Sequence, residues 1–161
     1  MEQIDIDATD IKLLDLLQND ATLSNLALAG RVHVSPPTCL RRVKRLRDAG
    51  LIEREIAVLN PEKLAVALGR GLTALVEISL DRQGAEQLEA FEARVVPDDA
   101  VQQCYRVSPG PDFILMVQVA DMPRYLALAQ RLFTSDANVR NVKAFFSIKR
   151  TKFSPKVLLV Q

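Results

Sequence analysis

The chain has 161 residues, of which 48% are hydrophobic and 25% are charged, and its formal net charge at pH 7 is +1. This length and composition are typical of globular proteins with one domain or two small ones, and no apolar run approaches the roughly 20 residues of a membrane-spanning helix. The N-terminal sequence MEQIDIDATD is acidic and lacks the apolar segment of a signal peptide, so we expect a cytoplasmic protein without a membrane partner.

The near-neutral total conceals three segments of strong and opposite charge. Residues 1–30 carry one base and six acids, for a net charge of −5. Residues 31–54 carry seven bases and two acids, for +5, and residues 138–161 carry six bases and no acid, for +6. Such local basic segments indicate candidate contacts to nucleic acid better than the total charge does.

Two helices are predicted at the N-terminus. Asp7 is a suitable N-cap, and leucines at helical spacing predict a first helix over residues 8–19. Ser24 is the predicted cap of a second, shorter helix that ends near Val32. The acids in the first turn of the first helix suit the positive end of its dipole.

A third helix follows after a tight turn. The turn contains His33, the only histidine, which tolerates a left-handed backbone better than most residues do. Ser35 is the predicted cap, Pro36 occupies the first helical position, and the helix runs to about Ala49 before the terminating Gly50. Two helices joined by so short a turn have the outline of a helix-turn-helix.

The two faces of the third helix differ in chemistry. At about 100° per residue, the arc that we expect to pack on the first helix comprises Cys39, Leu40, Val43 and Leu46. The opposite arc, expected to face solvent, comprises Thr38, Arg41, Arg42 and Arg45. Arginine matches the acceptors of guanine in the major groove and also binds phosphate. A basic face that serves only solubility is the alternative, but the cap, the preceding helix and the following segment favour DNA recognition.

Residues 51–60, LIEREIAVLN, predict two short strands around a turn, which is a wing. Arg54 lies near its tip, where a phosphate contact and a plain surface arginine both remain open. Together with the start of the third helix, this gives a predicted DNA-binding set of Ser35, Pro37, Thr38, Arg41, Arg42, Arg45 and Arg54.

The sequence predicts no metal site and no catalytic residue. Cys39 and Cys104 lie far apart and form no ligand pattern, and a reducing compartment disfavours a disulfide between them. We expect both to be small buried apolar residues. His33 has no second histidine or cysteine partner for a ligand role.

The stretch LSNLALAGRVHVSPPTCLRRVKRLRDAGLIEREIAVLNPEKL resembles the Lrp/AsnC family, the leucine-responsive and asparagine-type transcriptional regulators of bacteria and archaea. The resemblance implies that residues 35–49 are the recognition helix, and it continues more weakly to the C-terminus. It implies an α+β protein in which residues 1–60 form a winged helix-turn-helix. Asn60-Pro61 and the residues after them indicate a hinge, which we place at residues 61–70.

Residues 71–161 predict a ferredoxin-like domain. Strands are expected at 71–80, 100–107, 112–120 and 139–149, and helices at 84–96 and 122–133, which is the order β-α-β-β-α-β. Such a sheet has helices on one face only, and a second copy of the chain is the simplest cover for the other. The resulting dimer carries two recognition helices and predicts pseudo-palindromic sites. The resemblance implies a regulation of amino acid metabolism module and an octamer of four dimers.

The resemblance also implies an effector site at the loop VSPGPDFIL, between the second and third strands, for an amino acid or a related metabolite. The predicted residues are Ser108, Gly110 and Asp112, and no other cofactor is expected. The loop departs from the family pattern, because Pro109 stands where glycine is common and Pro111 replaces an aromatic residue. Asp112 either holds the effector or only caps the turn.

The overall prediction is a sequence-specific DNA-binding transcriptional regulator rather than an enzyme. One alternative is an enzyme like the siroheme decarboxylases, which share this architecture but are expected to use histidine in the C-terminal domain, where this chain has none. Another is an amino-acid-sensing module without DNA binding, which the basic third helix disfavours. The basic tail KRTKFSPK either contacts DNA or is a solvated end.

Overall fold

The computed structural model describes residues 4–159, which form two compact units. The first unit contains the residues up to Val58 together with the tail from Lys152, and the second is Leu59–Thr151. Within the described residues, no helix is both long enough and apolar enough to cross a membrane.

The first unit contains the three predicted helices, α1 (Ala8–Asn19), α2 (Asn25–Val32) and α3 (Pro36–Asp48). Local caps fix their starts: the side chains of Asp7 and Asp10 form a reciprocal capping box at α1, and the Ser24 hydroxyl accepts the backbone N–H of Ala27. The buried apolar core between the helices comprises Leu13, Leu17, Leu28, Ala29, Val32, Cys39, Val43 and Leu46.

The predicted wing strands are wrong. Residues 51–60 contain no strand: Leu51 and Ile52 form a bend, and the residues after them have no regular secondary structure. Ile52 packs partly on the core, but Ile56 and Val58 are exposed, so their side chains do not hold a hairpin together. An isolated two-stranded hairpin is at best marginally stable, which is why the alternating pattern alone did not specify one.

The predicted hinge at residues 61–70 is mostly helical, as α4 (Pro61–Leu68). The side chain of Asn60 caps this helix through the backbone N–H of Lys63, at 2.9 Å. Pro61 occupies its first position, and Gly69 ends it with a φ of 64°. The Asn-Pro pair is therefore a helix start here rather than an irregular connection.

The second unit confirms the predicted β-α-β-β-α-β order. Its elements are β1 (Leu72–Leu80), α5 (Ala85–Val95), β2 (Val101–Arg106), β3 (Phe113–Val119), α6 (Met122–Ala129) and β4 (Val139–Phe146). A π-helical segment, Gln130–Thr134, extends α6. The sheet has the order β2-β3-β1-β4, and every pairing is antiparallel.

The core of the second unit lies between α5, α6 and one face of the sheet. Alternate residues of β1 and β3 point into it, and the rings of Phe91 and Phe113 stack there with centroids 4.6 Å apart. The other face is less uniformly apolar than the sequence suggested. On this face the exposed cross-strand partners Leu75 and Phe145 lie next to a second pair, Glu77 and Lys143, which form a salt bridge.

The tail from Lys152 belongs to the first unit, which differs from the predicted C-terminal domain of residues 71–161. The side-chain amide of Gln18 bonds both backbone groups of Val157: its Nε2 donates to the carbonyl at 3.0 Å and its Oε1 accepts the N–H at 2.9 Å. Lys156 donates to the side chain of Asn19 beside it. The described part of the tail is therefore tied to the end of α1.

Candidate nucleic-acid interface

A short turn sets the direction of α3 relative to α2. His33 ends α2 in the left-handed conformation, with φ 56° and ψ 46°, as expected for this position. The backbone N–H of Val34 bonds the carbonyl of Ala29, and the side-chain amide of Asn25 donates to the carbonyl of Pro36 at 2.8 Å. The first bond closes the C-terminal end of α2, and the second joins α2 to the first turn of α3.

The buried face of α3 is narrower than the sequence predicted. Cys39, Val43 and Leu46 are buried, but Leu40 is 59% exposed, so its assignment to the apolar arc was wrong. On a helical wheel Leu40 lies about 90° from the centre of the buried arc. Burial raises the pKa of the Cys39 thiol, which fits an unreactive core residue.

Arg42 does not project freely into solvent, contrary to our prediction. Its Nη1 donates to Asp7 at 2.7 Å and to Asp10 at 2.9 Å, and its side chain is only 26% exposed. It therefore ties α3 to the start of α1. The two carboxylates cancel most of the field of this guanidinium, so it attracts a phosphate only weakly.

Arg45 also pairs with the chain itself, but it stays more accessible. Its Nη2 donates to Asp10, while the side chain remains 47% exposed. Asp10 in turn has no exposed surface. From the sequence, Asp10 is only one of the acids that suit the dipole of the first helix. The missed signal was its position three residues before Leu13 and seven before Leu17, which places an acid on the buried stripe of α1.

The solvent-facing ridge of α3 contains two cations that form no ion pair within residues 4–159, Arg41 and Lys44. Arg41 was predicted to face solvent, but Lys44 was not. If Leu40 is counted as a core residue on the helical wheel, the predicted solvent-facing arc of α3 turns away from Lys44. With Leu40 removed from the buried arc, Lys44 falls opposite the core. Arg41, Lys44 and Arg45 together form what we call the α3 ridge.

The other predicted DNA contacts lie at the start of α3 and in the following segment. Ser35 and Pro37 are exposed and Thr38 is half-buried. The Ser35 hydroxyl donates to the hydroxyl of Thr38 at 2.9 Å instead of capping the helix. Arg54 is 73% exposed and lies 3.8 Å from Glu53, so only a weak surface pair competes for it.

The loop Val107–Asp112 brings together the three residues predicted to bind an effector. Ser108 and Gly110 are exposed, the Ser108–Pro109 peptide bond is cis, and Gly110 has a φ of 125° that disfavours other residues. Asp112 is half-buried, and its Oδ2 accepts the backbone N–H of Leu80 at 2.6 Å. The loop is thereby fixed to the end of β1.

Comparison with known proteins gives consistent matches over both units. A model of winged helix-turn-helix DNA-binding domains matches residues 6–53, and a model of the Lrp/AsnC ligand binding domain matches residues 73–157. The chain is 37% identical over 149 residues to the DNA-binding transcriptional activator DecR of Escherichia coli, covering 92% of this chain and 95% of that protein.

Two further relatives extend the comparison. The chain is 35% identical over 150 residues to the leucine-responsive regulatory protein of Rhizobium meliloti, with 93% and 94% of the two chains covered. A transcriptional regulator from Neisseria meningitidis, solved as a complex with L-Met, matches with a TM-score of 0.82 and 31% identity, covering 96% of this chain and 97% of that chain.

The contacts at Asp7 predict a specific dependence of stability on pH. The backbone N–H of Asp10 and the guanidinium of Arg42 hold the pKa of Asp7 below its ordinary value of 3.8. A lowered pKa in the folded state stabilises the fold above the ordinary value, and this contribution fades as the pH falls through the lowered pKa. Asparagine is also a good N-cap, so Asp7→Asn removes the charge while keeping the cap.

We therefore expect Asp7→Asn to lower the melting temperature near neutral pH, with the difference from the wild type shrinking below about pH 4. Thermal unfolding from about pH 3 to about pH 7 measures this. Asp5→Asn is the matched control, because Asp5 is an exposed acid two residues earlier. Identical pH profiles for the two variants would contradict the role of the Asp7 pairs.

Proposed function

Because this chain belongs to the Lrp/AsnC family of DNA-binding transcriptional regulators, we propose that it binds specific double-stranded DNA sites through the α3 ridge and regulates transcription in response to an amino acid or a related metabolite. The proposal of DNA binding rests on the α3 ridge itself. Arg41, Lys44 and Arg45 project from one exposed side of a helix whose opposite side is locked into the domain core.

The ridge suits a duplex for two physical reasons. Arg41 and Lys44, which form no ion pair in the described part of the chain, supply the phosphate neutralisation that dominates affinity. Release of counterions makes that affinity salt-dependent. An arginine on an exposed helix also matches the paired acceptors of guanine in the major groove. We assign Ser35, Pro37 and Thr38 to positions near the backbone at the helix start, and Arg54 to a peripheral phosphate contact. Arg42 is assigned to the fold rather than to DNA.

The effector site is proposed at the loop between β2 and β3, at Ser108, Gly110 and Asp112. Support comes from the ligand-binding family model and from a relative whose structure is a complex with L-Met. One oxygen of Asp112 accepts the Leu80 N–H, so the carboxylate orients the loop at the same time as it offers a charge to an ammonium group. An amino acid is the ligand class that fits this chemistry.

We propose a dimer formed through the sheet face opposite the helices. Leu75 and Phe145 face each other across β1 and β4 and stay partly exposed, at 41% and 46%. Tyr105 lies on the same face and is also exposed. A second copy covers these groups and places two α3 ridges on one duplex, so half-sites lie about one helical turn, or a multiple of it, apart. Further assembly into an octamer of four dimers remains a prediction.

The relatives and the α3 ridge also bear on the two alternative functions. The named relatives are transcriptional regulators, which supports a non-enzymatic function and an intracellular, cytoplasmic site of action. A sensing module without DNA binding has no use for the exposed cations Arg41 and Lys44, which form no ion pair within residues 4–159. The DNA measurement below separates such a module from a regulator.

Removing a ridge cation should weaken DNA binding in a defined way. We expect Arg41→Ala and Lys44→Ala each to reduce the steepness of the salt dependence by about one unit of slope, for specific and unrelated duplexes alike. Fluorescence anisotropy at several salt concentrations measures this, on a promoter fragment selected from random-sequence duplexes. Arg124→Ala removes a cation from α6 and serves as the control. Unchanged slopes in both ridge variants would remove α3 from the interface.

An amino-acid effector should stabilise the protein against heat. At a hundredfold excess over its dissociation constant, a ligand adds about 2.7 kcal/mol to the free energy of unfolding. We expect one member of a panel of the common amino acids, methionine included, to raise the melting temperature, and Asp112→Asn to reduce that shift. Asp99→Asn is an exposed control in the same unit. If no amino acid raises the melting temperature, the proposal of an amino-acid effector is wrong.

The proposed dimer face gives a third test. Leu75→Lys places a charge where two copies meet and should convert the assembly to single chains in light scattering. Val96→Lys, at an exposed position after α5, should leave the mass unchanged. A wild-type protein that is monomeric, or a Leu75→Lys variant that keeps its mass, would rule out this face.

A further inference from the structure

We propose that Asp10 is a positioning residue for DNA recognition: it holds the guanidinium of Arg45 in the orientation that reads bases, while Arg41 and Lys44 bind phosphates. This inference rests on the proposed function, because it assumes that the α3 ridge meets DNA. It goes beyond that function by dividing the ridge into a reading arginine and two anchoring cations, and by assigning the division to an acid on a different helix.

The burial of Asp10 is the first observation. The residue lies on the buried stripe of α1 with Leu13 and Leu17, and none of its surface is exposed. A buried carboxylate is tolerated only where charges and hydrogen bonds compensate for its lost hydration. The partners of Asp10 are therefore a condition of its burial.

Those partners are the two arginines of α3. Oδ1 of Asp10 accepts Arg42 Nη1 at 2.9 Å, while Oδ2 accepts Arg45 Nη2 and also the backbone N–H of Asp7 at 3.2 Å. The two arginines are not equivalent, because Arg42 has Asp7 as a second partner whereas Arg45 pairs only with Asp10 among residues 4–159. Arg42 therefore connects α3 to α1 through two carboxylates, whereas Arg45 is fixed through one carboxylate and keeps other N–H donors for a ligand.

Holding Arg45 has a direct consequence for recognition. A free arginine loses much side-chain freedom when it binds, whereas one already fixed by a carboxylate loses less. The planar guanidinium keeps further N–H donors for a second ligand. A guanidinium whose plane is fixed discriminates between base edges, because its bidentate hydrogen bonds to guanine require one orientation.

Local charge separates Arg45 from the other ridge cations. Asp7, Asp10, Arg42 and Arg45 together have no net charge, so a phosphate gains little there. Arg41 and Lys44 have no ion pair within the described residues and keep their full charges. Beside Arg45 lies an open cavity of about 370 Å³ that is also lined by Asp5 and Arg41, which leaves room for an incoming group. Neutral base acceptors suit this site better than phosphate does.

A double-mutant cycle on the full chain tests the assignment. Affinities of the wild type, Asp10→Asn, Arg45→Ala and the double variant are measured for a selected site and for an unrelated duplex. We expect each single variant to lose at least about fivefold on the selected site, the value of one base contact. The double variant should bind no worse than Arg45→Ala, because Asp10 acts through Arg45.

The unrelated duplex separates positioning from mere stability. Asp10→Asn removes a negative charge, so its affinity for that duplex should stay equal or rise, whereas a partly unfolded domain loses affinity for both. Asp15→Asn, an exposed acid on the same helix, is the control and should change neither. Losses that multiply independently in the double variant, or an unchanged affinity of Asp10→Asn for the selected site, overturn the proposal.

A second measurement needs no variant and decides the question if Asp10→Asn fails to fold. Nitrogen-15 NMR of arginine side chains reports how freely each guanidinium rotates. In the DNA-free protein we expect hindered rotation for Arg42 and Arg45 and free rotation for Arg41. Equally free rotation of Arg45 and Arg41 overturns the proposal even if the chain binds DNA. Failure of the wild type to bind any duplex instead removes the proposed function.

Discussion

The N-terminal unit is organised around one buried charge. Asp10 has no exposed surface, and the guanidinium groups of Arg42 and Arg45 compensate for its lost hydration. Because both arginines come from α3, their pairing fixes where α3 crosses α1 and how α3 is rotated about its own axis. Apolar packing alone tolerates some rotation of a helix, since neighbouring leucines are similar in shape. The ion pairs remove that freedom and so decide which side of α3 faces away from the domain.

This constraint links stability to function at the same atoms. Removal of either arginine leaves Asp10 with one fewer partner, and an uncompensated buried charge destabilises far more than a lost surface pair does. Arg42, which pairs with both Asp7 and Asp10, is therefore a requirement of the fold. The same pairing accounts for the exposure of Arg41 and Lys44, which form no ion pair among residues 4–159. They lie on the side of α3 that the pairing of Arg42 and Arg45 turns outward.

The elements that could be predicted from the sequence are those fixed by neighbouring residues. Caps at Asp7 and Ser24 and the terminating Gly50 define the first three helices, and alternation defines the ferredoxin-like order. The failures are non-local or ambiguous. A wing strand needs a partner that the pattern cannot supply, and Asn60-Pro61 starts a helix as readily as it ends one. The Asp10 pairs join residues more than thirty positions apart, and only an acid on an apolar stripe hinted at them.

Charge in the sequence is thus a poor measure of charge at the interface. Residues 31–54 contain seven bases, but Arg42 and Arg45 face Asp10, Arg47 pairs with Glu55, and Arg54 lies near Glu53. The acidic first helix and the basic third helix therefore neutralise each other within one domain. What remains for DNA is a small number of unpaired cations beside one held arginine. In the arrangement that we propose, affinity comes from Arg41 and Lys44, whereas selectivity comes from Arg45, whose orientation the fold has already fixed.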